Sequence, residues 1–383
     1  MGDAQRLSPD EQLRVGRRQF EEGRDFTVAV EEEFAILDPD TLGMVNRFEE
    51  LFDASRGTEL DGHLVGELIS SEVEVRTGRC ETFAEAARTM AERRRQLLEL
   101  AGRFGIALCA TGTHPWSPWQ EQKVIDTPHY RRVEEGLRYV AWRNNTFGIH
   151  VHVGIRGPDR AIAVCNALRV FLPELLALSA SSPFVEGRYT YLHSARTEVF
   201  TRMFPRCGVP DVFAGWDDYE RYVRFLYKTR SILEHTQIWW SVRPHLAFPT
   251  VEIRICDGQP DLGEAQPLAA FAFALTARVA RALDDGEPLA LPPNRLIEEN
   301  LWRATRYGLA GELIDLETER VLPARERLAE LVDWMLPVAA ELGVADALTV
   351  PSANAAERQI ARYEMGESLT EIYEHEVLEP VRV

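Results

Sequence analysis

The chain has 383 residues, of which 45% are hydrophobic and 27% are charged, so it is long enough to bury a large core. Its formal net charge of -18 leaves no basic surface that could neutralise a nucleic-acid backbone, and we expect no nucleic-acid partner. The five cysteines are scattered without a C-x-x-C pair, which argues against a thiolate zinc site and a disulfide framework. With no uninterrupted apolar span and no apolar N-terminal leader, the sequence predicts a cytoplasmic protein without a membrane partner.

The organisation along the chain predicts one domain. Because repeats, low-complexity tracts and flexible linkers are absent, we expect a single catalytic domain over residues 1–383, with an N-terminal extension (1–25) and a helical C-terminal region (294–383) packed on the same domain. Helical periodicity is clearest in five segments, which are 82–104, 161–179, 219–234, 268–283 and 323–342. Short strand-like runs separate the earlier helices.

The first strand-like run, TVAVEEEFAIL, alternates apolar and acidic residues. Val28 and Phe34 fall on one face, and Glu31 and Glu33 fall on the other, because successive side chains of a strand point to opposite faces. Glu32 is the one misfit on the apolar side. The run therefore predicts a strand that buries one face and presents carboxylates on the other.

Three later runs, EVEVR, IHVHVGI and VEIRIC, repeat this pattern with valine and isoleucine on one face. Their opposite faces carry Glu72, Glu74, Arg76, His150, His152, Glu252 and Arg254. One such strand alone would fit a sheet with a solvated polar face. Four together, whose outer faces carry Glu and His at i, i+2 with Arg beside them, predict that several carboxylates and imidazoles converge in a concave patch, which is costly unless cations occupy it.

The residue types in this patch favour particular ligands. Carboxylates with histidine and no thiolate predict Mg²⁺ or Mn²⁺ ahead of zinc. Neither a P-loop nor a Rossmann glycine motif is present, so ATP, if bound, would be held by metals and arginines. The candidate arginines are Arg196, Arg243 and Arg254, of which Arg254 is strongest because it shares a face with Glu252; Arg243 could instead be an ordinary strand-end cation.

A set of motifs resembles a known family. They are V-E-E-E-F (30–34) with L-D-P-D-T (37–41), S-E-V-E-V-R-T-G (71–78), G-T-H-P (112–115), G-I-H-V-H-V-G (148–154), and R-P-H (243–245) with T-V-E-I-R-I-C-D (250–257). From about residue 28 to residue 293, the chain resembles the carboxylate–amine ligases of the glutamate–cysteine ligase type 2 group, which have a glutamine synthetase-like fold.

The resemblance implies an α+β fold in which a curved antiparallel sheet, backed by helices, forms an active-site cup, as in glutamine synthetase and the guanido kinases. It also implies two or three Mg²⁺ ions, ATP as co-substrate, and formation of an amide on the side-chain carboxylate of glutamate through an acyl phosphate. Relatives of this kind suggest a homo-oligomer.

The resemblance also implies roles for individual residues. The metal ligands would be Glu31, Glu33, Glu67, Glu74, His150 and Glu252. His152 would be a further ligand or a nucleotide contact, and Arg254 would face the substrate carboxylate and the transferred phosphate, assisted by Arg196 or Arg243. Relatives tend to carry glycine at the position of Tyr191, which we expect near the amine site.

Other readings of the same residues stay open at this stage. A metal-dependent hydrolase could use His150 and His152, and phosphoryl transfer to a guanidino or amine substrate would fit the same fold. A binding module that retains the metals and nucleotide without turnover is a third alternative. His114 could lean over the cup or cap a local turn. The sequence leaves the identity of the amine open.

Overall fold

A computed structural model of the protein describes residues 8–382 and has an α+β fold. The strands are β1 (Val28–Leu37), β2 (Leu64–Val65), β3 (Glu72–Arg76), β4 (Ala107–Cys109), β5 (Ile149–Gly154), β6 (Phe184–Val185), β7 (Arg188–Tyr189), β8 (Cys207–Gly208), β9 (Trp239–Trp240), β10 (Val242–His245), β11 (Thr250–Ile253), β12 (Glu312–Ile314) and β13 (Val321–Pro323). The helices are α1 (Pro9–Glu22), α2 (Phe48–Ser55), α3 (Phe83–Arg103), α4 (Pro128–Leu137), α5 (Tyr139–Trp142), α6 (Pro158–Leu168), α7 (Leu172–Ser179), α8 (Trp216–Lys228), α9 (Leu262–Asp284), α10 (Asn294–Tyr307), α11 (Ala324–Glu341), α12 (Ala355–Glu364), α13 (Leu369–Tyr373) and α14 (Glu379–Arg382).

The central sheet has seven strands in the order β10-β11-β5-β1-β3-β2, and β4 pairs with the end of β1. All of its pairs are antiparallel. β1 pairs with β3 along one edge and with β5 and then β4 along the other. The four strand-like runs identified in the sequence are therefore β1, β3, β5 and β11, and they are neighbours.

Helices cover the apolar face of this sheet. α3 packs on β1 and β3, α9 packs on β5, and α6 packs on β10 and β11. Val30, Val151 and Ile253 contribute to one continuous core under these helices and are at most 1% exposed. Burial of such aliphatic side chains stabilises the fold by about 1.5–3 kcal/mol each, which fixes the register of the strands and leaves their polar side chains on the opposite face.

The predicted helices are present, and two of their boundaries differ from the prediction by six residues. α9 begins at Leu262 and not at residue 268. α8 ends at Lys228 and not at residue 234, because Arg230 adopts a positive φ of 57° that a helix cannot continue through. Segment 161–179 consists of α6 and α7, joined by a 3₁₀ turn over residues 169–171.

One helical stretch has the length and composition of a membrane span. Residues 158–179 reach a mean hydropathy of 1.7, and 89% of that window is buried inside the protein. Packing of α6 against α9 and of α7 against α10 accounts for its apolar character.

The N-terminal helix and the first helices of the C-terminal region pack on the main core. Leu13 and Phe20 of α1 are fully buried, and the Phe20 ring lies 5.2 Å from that of Trp216. Leu301 and Leu328, from α10 and α11, belong to the same core. Residues 1–7 of the predicted N-terminal extension lie outside the described residues.

Glu32, the misfit of the β1 pattern, is neutralised behind the sheet. It forms a salt bridge with Arg94 of α3, and both residues are less than 5% exposed. The guanidinium also donates to the carbonyl oxygens of Pro260 (2.8 Å) and Gln259 (3.1 Å) and lies over the ring of Phe34. This ion pair ties α3 to β1 and to the loop before α9.

We expect Arg94→Met to lower the free energy of unfolding by about 3–5 kcal/mol, because it leaves the Glu32 carboxylate buried without a counter-charge. Urea denaturation would measure the change. The double variant Glu32→Leu/Arg94→Met should recover most of the loss, since no charge is then left buried. A single variant as stable as the wild type would contradict this account.

Candidate active site

The strand register places the acidic and basic side chains in rows across the polar face. Glu31 lies opposite Arg76 on one side and opposite His150 on the other. In the same sheet, Glu33 lies opposite Glu74. Because each strand follows the period of two, the predicted polar faces all point the same way.

The neighbouring row continues the pattern on β10, β11 and β5. Glu252 lies between Arg243 and His152. Antiparallel pairing of four strands thus brings together side chains that are as many as 223 positions apart in the sequence.

All of these side chains except His152 line a cavity of about 280 Å³, which we name the first cavity. Its floor is the polar face of the sheet, and Tyr130 of α4, Phe200 and Trp239 contribute to its walls. Arg196, which lies outside the sheet, also reaches it. Thus Arg196, Arg243 and Arg254, the three predicted arginines, line one cavity with the carboxylates.

Three groups of candidate metal ligands lie in this region, and within each group the ligand atoms are within 4.8 Å of one another. The groups are Glu31, Glu74 and His150; Glu31, His152 and Glu252; and Glu33, Glu67 and Glu74. The structure therefore brings together all six residues predicted as ligands, including Glu67, which follows β2 in a loop. Because Glu31 and Glu74 each belong to two groups, the groups adjoin one another.

The chemistry of this donor set fits divalent cations. The side-chain Nε2 of His152 is buried without a hydrogen-bond partner and lies 3.5 Å from Glu31 Oε2 and 3.8 Å from Glu252 Oε1. One carboxylate oxygen of Glu72 is likewise buried and unpaired. Unpaired donor atoms amid crowded carboxylates are costly, and oxygen-rich sites with one or two imidazoles suit Mg²⁺ or Mn²⁺. The role of these residues as ligands remains a prediction.

The carboxyl groups differ in their proton affinities. Burial, followed by the charges of neighbouring glutamates, raises the pKa of Glu72 and of Glu74 well above the ordinary value. Burial would also raise the pKa of Glu31, but His152 and His150 hold it well below that value. For Glu252, burial is outweighed by Arg243 and Arg254, which hold its pKa well below the ordinary value. The cavity thus combines firmly ionised carboxylates with others that resist ionisation.

Two arginines hold Glu252 firmly. Arg243 donates to its carboxylate through Nε (2.6 Å) and Nη2 (3.2 Å), and Arg254 donates to it through Nη1. Arg243 also donates to the backbone oxygens of Thr236 and Ile238. The reading of Arg243 as an ordinary strand-end cation is therefore wrong, because its side chain is buried against Glu252 and lines the first cavity.

A buried aspartate supports Arg196. The Arg196 guanidinium donates to the backbone oxygens of Ile255 (3.1 Å) and Arg254 (3.3 Å), and it lies 3.9 Å from Asp257. Asp257 is fully buried and accepts hydrogen bonds from the hydroxyls of Ser182 (2.7 Å) and Ser194 (2.9 Å). This network fixes where Arg196 meets the sheet.

Two motif glycines make room for this network. A Cβ at Gly148, the residue before β5, would lie 2.5 Å from Arg196 Nη2. A Cβ at Gly112 would lie 2.6 Å from Asp257 Oδ2 and Ser182 Oγ. The glycines of G-I-H-V-H-V-G and G-T-H-P are therefore needed for close approach of buried polar groups.

His114 and Tyr191 do not line the first cavity. His114 is fully buried and accepts at Nδ1 from the backbone N–H of Ser117 (2.9 Å), so it caps a turn. Tyr191 is 62% exposed and stacks near Tyr189, with ring centroids 4.4 Å apart. Tyr191 is therefore not among the residues that surround the predicted ligand groups. Its φ of +62° explains why glycine suits this position.

A second cavity, of about 270 Å³, adjoins the first. Its walls are mostly apolar and include Val28, Ala29, Phe248 and Pro249, and His152 lies on its polar side. Glu31 and Arg76 line both cavities. Sequence reasoning did not identify this cavity, because Ala29 and Phe248 are ordinary residues until the fold places them around a space.

Three residues of the site were not assigned roles from the sequence. Glu72 and Arg76 were placed on the polar face of β3 without a function, and both line the first cavity. The apolar–polar alternation of EVEVR had already indicated that both side chains lie on the polar face of the sheet. The role of Asp257 could not be predicted from its place in T-V-E-I-R-I-C-D, because the serines that donate hydrogen bonds to it come from a distant segment of the sequence.

Comparison with known proteins gives the class of the protein, a carbon–nitrogen ligase. The model of glutamate-cysteine ligase family 2 matches residues 27–375. "Putative glutamate--cysteine ligase 2-3" of Rubrobacter xylanophilus is 42% identical over 318 residues, which are 83% of this chain and 85% of that protein. A relative from Sorangium cellulosum with a similar name is 39% identical over 344 residues, covering 88% of this chain and 92% of the relative.

A solved structure supports the fold. The glutamate–cysteine ligase of Francisella tularensis, in complex with AMP, superposes with a TM-score of 0.64 at 15% identity, covering 94% of this chain and 88% of that chain. The protein is an ATP-dependent carbon–nitrogen ligase. It belongs to glutamate-cysteine ligase family 2, so the family predicted from the motifs is confirmed.

The raised pKa of Glu72 predicts how the stability of the metal-free protein depends on pH. At pH values where an unfolded chain has lost this proton, the folded state retains it, so the free energy of unfolding falls as the pH rises above the ordinary value of 4.5. Glu31 and Glu252, with lowered pKa values, contribute stability that is lost only as the pH falls below 4.5.

We therefore expect the Glu72 contribution to lower the melting temperature of the protein in EDTA as the pH is raised from about 5 to about 8. Buried histidines such as His193 and His245, whose pKa values are lowered by burial, act in the opposite direction below pH 6.5, so the Glu72 contribution is measured as the difference between variant and wild type. Glu72→Gln, which resembles the protonated form, should reduce this slope and raise stability at the upper end. Glu341→Gln, at an exposed position that pairs with Arg281, serves as the control and should keep the wild-type slope. An unchanged slope in Glu72→Gln would contradict the assignment.

Proposed function

We propose that the protein joins the side-chain carboxylate of glutamate to an amine, using ATP and an acyl-phosphate intermediate. The observation that carries the proposal is the combination, in one cavity, of adjoining carboxylate–histidine groups with three arginines around them. Membership of glutamate-cysteine ligase family 2 supports the choice of glutamate. We further propose that the sheet curves into a cup like that of glutamine synthetase, within a single catalytic domain of a cytoplasmic homo-oligomer.

The residues that would hold divalent cations are Glu31, Glu33, Glu67, Glu74, His150 and Glu252, with His152 at the edge of the set. When bound, Mg²⁺ or Mn²⁺ supplies positive charge that neutralises phosphate oxygens and orients the polyphosphate. The unpaired Nε2 of His152 and the crowding of buried carboxylates support this occupancy.

We place the adenine end of ATP in the second cavity and the two other substrates in the first. Apolar walls suit a base, and the Phe248 ring, which stacks on His245 at 4.8 Å, is held in place. Glu31 and Arg76, which line both cavities, would then face the phosphates. The AMP bound to the Francisella tularensis ligase supports use of an adenine nucleotide.

The reaction has two steps. A carboxylate oxygen of the acid attacks the γ-phosphorus, a new P–O bond forms, the bond to the β,γ-bridging oxygen breaks, and ADP leaves. The neutral amine nitrogen attacks the acyl carbon and a C–N bond forms. The acyl C–O bond breaks, and inorganic phosphate leaves with the electron pair of that bond and takes up the proton that the nitrogen releases.

The arginines of this chain stabilise the charge that moves in these steps. Arg254 stays protonated, because its ion pair with Glu252 outweighs the cost of burial and raises its pKa. Arg196 and Arg254 line the cavity from which the acid must attack, and both are held rigidly by backbone oxygens or by Glu252. Preorganised donors of this kind act where charge develops and need no rearrangement.

The family assignment favours ligation over the two rival reactions. A hydrolase that used His150 and His152 would consume substrate with metal alone. Phosphoryl transfer to a guanidino group would leave a phosphorylated product and no amide. The Glu252–Arg243–Arg254 cluster beside the histidines is the feature that suits handling of phosphate, and a metal-dependent hydrolase does not need it.

The test is ADP release by the metal-loaded protein with glutamate, across a panel of amines that includes cysteine. We expect stimulation by at least one amine, with the matching amide detected by mass spectrometry. Glu31→Gln should lower turnover by at least about 100-fold, because Glu31 belongs to two of the ligand groups. Glu341→Gln is the matched control. Substrate breakdown without ADP release would overturn the proposal.

The placement of the nucleotide predicts the effect of filling the second cavity. Ala29 lies on the polar face opposite His152 and contributes to the walls of this cavity. Ala29→Leu should raise the KM for ATP by about 10-fold or more, because overpacking a binding site costs about 1–3 kcal/mol. Mn²⁺ affinity, measured by calorimetry, should stay unchanged. An unchanged KM would exclude ATP from this cavity.

A further inference from the structure

Arg76, at the end of β3, occupies the junction of the two cavities. It lies opposite Glu31 in the β1–β3 register, and His150 lies opposite Glu31 on the other side. Arg254, one residue beyond the end of β11, extends the same row past His150. The row therefore has a guanidinium at each end and a carboxylate and an imidazole between them.

Arg76 differs from the other three arginines of the site in how its nitrogen atoms are engaged. Arg243 and Arg254 donate to Glu252, and Arg196 donates to backbone oxygens. Arg76 forms an ion pair with Glu74 through Nε, at 3.2 Å, and this Nε is buried without a hydrogen bond. Within residues 8–382, neither terminal nitrogen of Arg76 donates a hydrogen bond to the protein. Its donors are therefore available to a ligand.

The backbone at Arg76 is nevertheless firmly held. Its N–H donates to the backbone oxygen of His63 (2.9 Å), and its own backbone oxygen lies 3.0 Å from His63 Nδ1. The side chain keeps 34% of its surface exposed, and that exposure faces the cavities, because Arg76 lines both. A fixed backbone, with Nε beside Glu74 and both terminal nitrogens without hydrogen bonds, is the arrangement expected of a residue that binds a ligand.

The terminal nitrogens of Arg76 suit an anionic group, while the net negative charge of the cavity as a whole requires cations as well. The first cavity is lined by six carboxylates against four arginines, and three of those arginines are already committed to protein acceptors. A polyphosphate that passes from the second cavity into the first must cross the junction of Glu31 and Arg76. The guanidinium presents a planar pair of N–H donors that matches two phosphate oxygens.

We propose that Arg76 binds the β- and γ-phosphate oxygens of ATP and is a catalytic residue for transfer of the γ-phosphoryl group. This inference rests on the proposed function. Arg76 makes no covalent bond and exchanges no proton; it donates hydrogen bonds to oxygens whose charge increases as the β,γ-bridging bond breaks. It acts from the β3 side of the junction, and Arg254 acts from the β11 side.

The test compares ligands that differ only in phosphate number. For Arg76→Ala, calorimetry with Mg²⁺ should give unchanged AMP affinity, a weaker ADP complex, and an affinity for adenylyl imidodiphosphate that is about 10-fold lower or more. Turnover should fall by about 100-fold or more, as for loss of a preorganised donor. A residue with only a structural role would weaken all three nucleotides equally.

A second variant and a control make the outcome unambiguous. Arg76→Lys keeps the charge without the planar fork and should recover only a minor part of the lost turnover. It also tests the proposal if Arg76→Ala does not fold, since the loss should again grow with phosphate number. Arg17→Ala is the matched control, because Arg17 is 39% exposed in an ion pair with Asp217, away from both cavities.

Two results would overturn the assignment of Arg76 as a phosphate-binding residue. Both can be distinguished from failure of the proposed function as a whole. If Arg76→Ala binds adenylyl imidodiphosphate as tightly as the wild type, or loses affinity for AMP to the same extent, then Arg76 does not contact the phosphates. If the wild-type protein itself binds no adenine nucleotide and releases no ADP, the proposed function fails as a whole, and the Arg76 assignment fails with it.

Discussion

The structure depends on one electrostatic constraint, which is the burial of many carboxylates on a single sheet. The glutamates of β1 are accommodated in two different ways, one on each face of the strand. Behind the sheet, Glu32 is neutralised permanently by Arg94 of α3. In front of it, Glu31 and Glu33 meet histidines at 3.4–3.5 Å and, among residues 8–382, no arginine at salt-bridge distance. The first arrangement stabilises the fold, and the second leaves a region of negative charge that a ligand can complete.

The arginines of the site differ in the groups to which they donate hydrogen bonds. Arg243 and Arg254 fix Glu252, so that its carboxylate stays ionised and correctly oriented beside His152. Arg196 is fixed by backbone oxygens and supported by Asp257, and Gly148 permits its close approach. Rigid positioning of these groups suits chemistry in which charge moves between phosphate oxygens, because the donors are already in place when the charge develops.

Much of the fold was predictable because its signals are local. The alternation in β1, β3, β5 and β11 revealed which side chains share a face, and helical periodicity located α3, α9 and α11. The end of α8 was missed, because it depends on a positive φ at Arg230 that no residue type at this position announces. The exposed position of Tyr191, outside the first cavity, was not predicted for a related reason. Its left-handed backbone is a property of the turn, while its side chain points to solvent.

The sequence by itself determined the donor set, the faces of the strands and the family, because a period of two and a series of motifs can be read along the chain. Only the tertiary structure decided which strands are neighbours, that Glu32 is paired behind the sheet, and that Glu31 and Arg76 stand between two cavities. These facts rest on contacts between segments far apart in the sequence. Their formation depends on how α3, α6 and α9 pack against the sheet, which no local pattern encodes.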